Sequence, residues 1–166
     1  MRAMRSCRPG LTLIELLIVS GLVVLVSTAV VGLSVTSTKF WSRDTAKTIT
    51  DDEVSLALQN LLRRVGDGRT ASVTSGVLSV TFPKKNAEGD YDRFQAGDTY
   101  TYRVENNNLY QVDSSGNRLL LGRNIISAQF GVSGATVTAT LTSKRRWGTD
   151  VMQSETTGQV TLRNAP

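Results

Sequence analysis

The pattern of hydrophobic and polar positions divides the chain into three parts that follow a short leader, residues 1–10. Residues 11–35 form an almost unbroken apolar run of 25 residues. As a helix this run would be about 37 Å long, and about 20 apolar residues suffice to cross the hydrocarbon core of a bilayer. A cleaved secretory signal has a shorter apolar region of about 7–15 residues. The run therefore predicts a membrane-spanning helix.

Residues 36–66 predict an amphipathic continuation of that helix, because charged residues alternate with apolar residues at helical spacing. Gly66 and Gly68 mark the predicted end of the helix, where glycine C-caps are expected. Residues 48–52 contain three candidate N-caps. Two alternatives therefore remain open, a break in the helix at these residues or a continuous helix. The apolar positions of the predicted stripe are Val54, Ala57, Leu58, Leu61, Leu62 and Val65.

Residues 67–166 predict a β-rich globular head. Residues 137–141 alternate with a period of two, as a half-buried strand does, and residues 106–108 and 114–117 have turn chemistry. One helix followed by an antiparallel meander gives an α+β fold, in which the long N-terminal helix packs its amphipathic half on an antiparallel β-sheet. The candidate strands are 71–75, 76–82, 99–105, 108–113, 118–122, 125–132, 135–143 and 158–164.

Charge and composition narrow the classes of function. The formal net charge is +5, but Arg2, Arg5 and Arg8 lie in the leader, and the rest of the chain has 16 basic and 14 acidic residues. The basic charge thus belongs largely to the leader, which weakens an interpretation as a nucleic-acid binder. The single cysteine, Cys7, is also in the leader, and the chain has no histidine, the commonest general base and metal ligand. The sequence predicts neither an enzyme nor a cofactor, because it has no nucleophile–base pair, phosphate-binding glycine loop or metal-ligand cluster.

One acidic residue interrupts the apolar run. Glu15 is the only charge between Leu11 and Val35, and a charge at bilayer depth costs roughly 2.5–3.5 kcal/mol on insertion scales. The sequence around it is Gly10 followed by LTLIELLIVSG, residues 11–21. It resembles the processing site of type IV pilins and type II secretion pseudopilins. That site joins a basic leader ending in glycine, an apolar residue, Thr-Leu-x-Glu and a long hydrophobic helix.

The resemblance implies how the N-terminus is processed. In this family a membrane peptidase cuts after the glycine on the cytoplasmic side and methylates the new N-terminus. The cut would lie between Gly10 and Leu11, and Leu11 would carry the methyl group. A glycine suits the cut because a residue without Cβ lets the backbone approach a catalytic site closely. The leader would stay in the cytoplasm, and the head would lie on the outer side of the inner membrane.

Glu15 has two interpretations, which are compatible. Thr12 and Glu15 match the capping-box pattern, in which each satisfies a free N–H group of the first helical turn. A carboxylate there also suits the positive end of the helix dipole. The resemblance implies a second role, in which Glu15 pairs with the freed amine of Leu11 in a neighbouring subunit and sets the register of subunits added to a filament.

A basic cluster in the head is a candidate nucleic-acid contact. Lys144, Arg145, Arg146 and Trp147 place three cations beside an aromatic ring. Such a group could contact the DNA backbone and stack a base, as a DNA-uptake pilus would need. The alternative is a solvated hairpin loop with Trp147 folded onto the sheet.

An acidic segment, residues 86–98, is a candidate calcium site. Asp90 and Asp92 lie in it together with Glu88 and Asp98, and the segment is predicted to be a loop. Carboxylate oxygens are the ligands that calcium prefers, and some pseudopilins bind calcium. The spacing departs from the EF-hand pattern, and ordinary solvated carboxylates are the alternative.

These features together give an expected function, which is structural. Residues 102–121 and 160–164 resemble larger minor pilins and minor pseudopilins, which favours a subunit that primes or caps a type IV pilus or a type II secretion pseudopilus. The expected partners are the prepilin peptidase and methylase, other pilin-like subunits through the N-terminal helix, an inner-membrane assembly platform and membrane lipid. The alternative is a membrane-tethered binding module, for example for DNA uptake or adhesion, that uses the same anchor and never polymerises.

Overall fold

The computed structural model describes residues 12–85 and 91–165. Within these residues the chain forms one helix followed by eight strands, so the predicted α+β fold is confirmed. Two compact units divide the chain, one ending at Arg43 and the other beginning at Asp44. The elements are α1 Leu13–Val65, β1 Thr70–Thr74, β2 Val77–Lys85, β3 Tyr91–Glu105, β4 Asn108–Val112, β5 Arg118–Arg123, β6 Ile125–Ser133, β7 Thr136–Trp147 and β8 Asp150–Thr161.

Helix α1 is continuous through residues 48–52, so the alternative of a break there is wrong. The hydroxyl of Thr50 donates a hydrogen bond of 2.8 Å to the carbonyl oxygen of Ala46, one turn earlier. Threonine hydroxyls bond in this way inside helices. The side chain is also buried, with 1% of its surface exposed. Thr50 therefore belongs to the interior of the helix.

The buried stripe of α1 begins earlier in the chain than the spacing of its apolar residues predicted. The predicted positions from Val54 to Val65 are all buried, except Leu62, which is partly buried. Ala46 and Thr50 continue the same stripe towards the N-terminus. Both side chains are small, and threonine is polar, so a search for large apolar residues at helical spacing does not find them.

The head contains two antiparallel sheets where a single meander was predicted. The first has the strand order β1-β2-β3-β4-β5, and the second has the order β6-β7-β8. They separate at Asn124, the residue between β5 and β6, which has a positive φ of 58°. Asparagine is one of the few residues besides glycine that tolerate this conformation. The chain turns there, and the N–H of Ile125 donates to the carbonyl oxygen of Asn107 at 2.9 Å.

Two strands begin earlier than predicted. β3 begins at Tyr91 where the prediction began at 99, and β8 begins at Asp150 where the prediction began at 158. β8 is the edge strand of its sheet, and most of its side chains are exposed or half-buried. Residues 150–157 therefore lack the apolar alternation that marks a strand in a sequence.

The end of α1 does not use the predicted glycine C-caps. Neither Gly66 nor Gly68 has the positive φ that a left-handed C-cap requires. Close packing explains both glycines, because a Cβ on Gly66 would lie 3.1 Å from a methyl group of Val160, and one on Gly68 would lie 2.5 Å from a methyl group of Val80. The predicted helix end is correct, but the reason for the glycines is their contact with the strands.

The hydrophobic core lies between the second half of α1 and both sheets. Leu61 of the helix is fully buried, as are Leu78 and Tyr102 of the first sheet and Ile125 and Leu141 of the second. Since both sheets bury side chains against the same helix stripe, the helix fixes the positions of the hairpins that carry the candidate sites of the head.

Candidate functional site

The N-terminus of α1 carries the first candidate site. Thr12 precedes the first helical residue, and its hydroxyl accepts a hydrogen bond of 3.4 Å from the Glu15 N–H. The Glu15 Oε2 accepts from the Thr12 N–H at 3.4 Å and from the Thr12 hydroxyl at 3.5 Å. This is the reciprocal arrangement of a capping box. The distances are long, because N–H···O bonds in proteins centre on about 2.9–3.0 Å. Capping therefore engages one carboxylate oxygen, and engages it weakly.

The predicted processing positions, Gly10 and Leu11, lie outside the described residues. The same holds for Asp90 and Glu88 of the acidic segment. Cleavage, methylation and these two calcium ligands remain predictions from the sequence.

The first half of α1 presents a long apolar surface. Leu13, Leu25 and Leu33 are 83%, 67% and 72% exposed, and the helix is long and apolar enough to cross a membrane. Polar groups in hydrocarbon need partners within the protein. The helix supplies these partners, because its hydroxyl groups donate at 2.8–2.9 Å to backbone carbonyls about one turn earlier, a feature that sequence analysis overlooked. The donors are Ser20, Thr28, Thr36 and Thr38.

The basic cluster lies on the end of β7, and the structure divides it between two faces. Arg145 forms an ion pair of 2.9 Å with Glu53 of α1, and its guanidinium lies 5.9 Å from the centre of the Trp147 ring. Successive side chains of a strand point to opposite faces, so Lys144 and Arg146 lie on the face away from Glu53. The four residues therefore do not form one surface on which a nucleic acid would meet all three cations and the ring.

Glu53 and Asn124 hold this hairpin in place, and sequence analysis overlooked both. The second carboxylate oxygen of Glu53 accepts a hydrogen bond of 2.9 Å from the Asn124 side-chain amide. The carbonyl oxygen of Asn124 accepts one of 3.1 Å from the Lys144 N–H. Glu53 lies 92 residues from Arg145 in the chain, and no local pattern identifies a pair at that separation.

The acidic segment is partly strand. Asp92 lies on β3 and not in a loop, and its Oδ1 accepts a hydrogen bond of 2.9 Å from the Phe94 N–H. Asp98 borders a cavity of about 560 Å³ that is also lined by Arg64 and Lys84. Calcium prefers a shell of oxygen ligands, whereas this cavity mixes cations with carboxylates. Among the described residues no group of three or more His, Cys, Asp or Glu side chains is placed to hold a metal ion.

Among the described residues of the head, two groups have shifted pKa values, and both have structural causes. Burial raises the pKa of Tyr102 well above its ordinary value, and its hydroxyl has no hydrogen-bond partner in the described part of the chain. A hydrogen bond of 2.7 Å from the Asn117 side chain lowers the pKa of Asp113. Tyr102 lies in the core and Asp113 in an exposed turn, so neither is positioned to act as a base on a bound substrate.

Comparison of the chain with protein-family models, with curated proteins and with solved structures finds no match. The residues and contacts described above are therefore the basis of the functional proposal.

Proposed function

We propose that the protein is a pilin-like structural subunit, similar to a minor pilin or minor pseudopilin. It is anchored in the inner membrane with its N-terminus in the cytoplasm and its head on the outer side. It helps to prime or cap a type IV pilus or a type II secretion pseudopilus. Its partners are the prepilin peptidase and methylase, other pilin-like subunits and the inner-membrane assembly platform.

The geometry of Glu15 carries this proposal. The two capping contacts that Thr12 makes with the Glu15 carboxylate both reach Oε2 and are 3.4–3.5 Å long, so the carboxylate retains the capacity to accept stronger bonds at Oε1. The acid lies in the first turn of a helix whose following side chains are apolar and exposed. A cation from outside the chain would offset the cost of a charge in that surrounding. The methylated amine of a neighbouring subunit's Leu11 is such a cation.

A membrane-tethered binding module that never polymerises is the second candidate. Exposed aromatic side chains on the head favour it, since Phe94 is 92% exposed and Trp147 is 42% exposed. Such residues are enriched where proteins bind partners. The two candidates share the anchor and differ in whether processed protein enters filaments.

Two matched substitutions test the proposal. Glu15→Gln removes the charge but keeps much of the capping box, because glutamine also serves at that position. Thr12→Ala removes the cap oxygen and keeps the charge. Both proteins are expressed in a host with a prepilin peptidase and a filament machine. Processed protein in the membrane is then compared with protein in sheared filaments.

The proposal expects both variants to be cleaved and only Glu15→Gln to be lost from filaments. Removal of one member of a buried ion pair typically costs about 3–5 kcal/mol, so incorporation falls at least roughly a hundredfold. The number of filaments per cell also falls if the subunit primes assembly. Equal incorporation of Glu15→Gln and the wild type would leave only the capping role. A failure of Thr12→Ala alone would mean that the helix cap matters more than the charge.

A further inference from the structure

The β7–β8 hairpin ends beside the first turns of the helix segment that belongs to the head. A Cβ on Gly158 would lie 2.7 Å from a methyl group of Leu62. Further along the hairpin, the Ser143 hydroxyl donates to the carbonyl oxygen of Thr50 at 3.4 Å. The hairpin thus follows α1 back towards the point at which the chain enters this unit. We call residues 144–151 the hairpin tip.

The hairpin tip is held in one orientation. Glu53 pairs with Arg145 at 2.9 Å and accepts a hydrogen bond of 2.9 Å from Asn124. Arg145 in turn lies against the ring of Trp147. Gly148 has a positive φ of 61° in the two-residue turn between Trp147 and β8, and glycine adopts this conformation without a steric penalty. These contacts therefore fix the position of the Trp147 ring at the end of the hairpin.

The exposed side chains of the hairpin tip include two apolar residues and two cations, beside Thr149 and Asp150. Trp147 is 42% exposed and Val151 is 53% exposed, and the register places them on opposite faces of the hairpin. Lys144 and Arg146 are exposed on the face that carries Val151, and Asp150 is the only acid within the tip. Tryptophan prefers the boundary between headgroups and acyl chains, and Lys and Arg near a membrane surface bind anionic lipids.

We infer that the hairpin tip inserts end-on into the headgroup region of an anionic membrane. Trp147 and Val151 reach the boundary with the acyl chains, and Lys144 and Arg146 bind lipid phosphates. Trp147 lies on one face of the tip, and Val151, Lys144 and Arg146 lie on the other. All four residues therefore reach the membrane together only when the tip contacts it end-on. The inference rests on the membrane anchoring in the proposed function and not on filament assembly.

Nucleic acid fits the hairpin tip less well than lipid does. Arg145 is already neutralised by Glu53, and its guanidinium lies against the Trp147 ring. The remaining cations, Lys144 and Arg146, are on the other face from the ring, so one strand would not stack on the ring and meet both cations. Nucleic-acid contact also leaves the exposed Val151 without a role.

Quenching of Trp147 fluorescence by brominated lipids tests the inference on the full chain. Trp41→Phe leaves Trp147 as the only tryptophan, because the chain has two. The protein is reconstituted into phosphatidylcholine vesicles with and without phosphatidylglycerol, with bromine near the headgroup end of the acyl chains. The inference expects a blue-shifted emission and strong quenching. The quenching should fall roughly twofold or more in Lys144→Glu/Arg146→Glu or at high salt.

A tryptophan at the other end of the head is the matched control. Phe94 is 92% exposed on β3, whose neighbouring residues border the cavity that Arg64 and Asp67 line at the C-terminal end of α1. Phe94→Trp in a chain without Trp41 and Trp147 should not be quenched.

Other results of these measurements would overturn the inference or the membrane anchoring on which it depends. Equal quenching at the two positions, or none at Trp147 in protein that floats with the vesicles and melts like the wild type, would overturn the inference. Quenching of Trp147 by an added oligonucleotide and not by lipid would overturn it in favour of nucleic acid. Protein that does not float with the vesicles would instead refute the membrane anchoring on which both proposals depend, and processing at Gly10 is measured separately.

Discussion

Gly122 sets how closely β5 approaches α1, and adding a methyl group there is the sharpest test of the packing. A Cβ at this position would overlap the Cβ of Ala57, and it would lie 3.5 Å from the Ala57 Cα and 3.4 Å from the side chain of Ile125. Ala57 is 1% exposed and has no flexible atoms that could move aside. Gly122→Ala therefore forces the strand and the helix apart.

The size of the effect follows from two opposing contributions. Overpacking of a well-packed core typically costs about 1–3 kcal/mol. Replacing glycine by alanine recovers about 0.4–1 kcal/mol through the unfolded chain. We expect Gly122→Ala to destabilise the head by about 1–2 kcal/mol, which lowers the melting temperature by about 3–6 °C per kcal/mol for a unit of this size.

Thermal unfolding of the full chain in detergent, with Trp41→Phe in every variant and followed by Trp147 fluorescence and circular dichroism, measures this change. Gly131→Ala is the matched control, because the nearest atom to its Cβ would be the Thr138 Cβ at 4.0 Å, and it should melt at the wild-type temperature or slightly above. Adding Ala57→Gly to Gly122→Ala should recover about 1 kcal/mol relative to the sum of the single changes. If Gly122→Ala melts like the control, α1 and β5 are not packed as described.

Three further changes test the core and the titratable groups. Leu61→Ala, at a fully buried position, should cost about 2–5 kcal/mol in urea unfolding, whereas Leu56→Ala, at a position 59% exposed, should change stability by less than about 0.5 kcal/mol. Burial places the pKa of Tyr102 higher in the folded than in the unfolded state. Protonated Tyr102 therefore adds its full contribution to the stability of the folded state below the unfolded pKa of about 10. This contribution is lost as the pH rises above that value. The free energy of unfolding of Tyr102→Phe should not show this decrease at alkaline pH. The pKa of Asp113 is lower folded than unfolded, so its contribution is present above the ordinary value of 3.8 and is lost as pH falls below it. Asp113→Asn should remove that dependence, and a carboxyl titration by NMR should place the folded pKa below 3.8.

The helix was the most predictable part of the fold. Its apolar run and the stripe from Val54 to Val65 depend on local periodicity, which a single sequence records. The extension of the stripe to Ala46 and Thr50 was not predictable, because both side chains are small, and the hydrogen bond from Ser143 that places β7 beside Thr50 joins residues 93 apart in the chain. Tertiary packing decided their environment.

The strands were predictable where one face carries apolar residues. The first part of β8 was overlooked because an edge strand with an exposed face needs few apolar residues. The separation into two sheets depends on the left-handed conformation of Asn124, and asparagine adopts it in only some of its contexts. The expected left-handed glycines at the end of α1 were wrong because Gly66 and Gly68 are needed for close packing on Val160 and Val80.

The candidate sites differ in how far the sequence predicts them. Thr12 and Glu15 are three residues apart, and a capping box is a local pattern, so their contacts follow from the sequence. The use of Arg145 was not predictable, since its partner Glu53 lies 92 residues away. Because of that ion pair, Arg145 has a structural role, whereas Lys144 and Arg146 remain exposed.

Intact-mass analysis of the protein from cells with and without a prepilin peptidase tests the central proposal most directly. A pilin-like subunit should be found as a chain that begins at Leu11 and carries one added methyl group when the peptidase is present, and as the unprocessed chain when it is absent. Gly10→Ala should slow this conversion mildly, and a charged residue in Gly10→Glu should block it. A chain that still begins at Met1 in the presence of the peptidase, or one that begins downstream of Val26, would contradict the proposal.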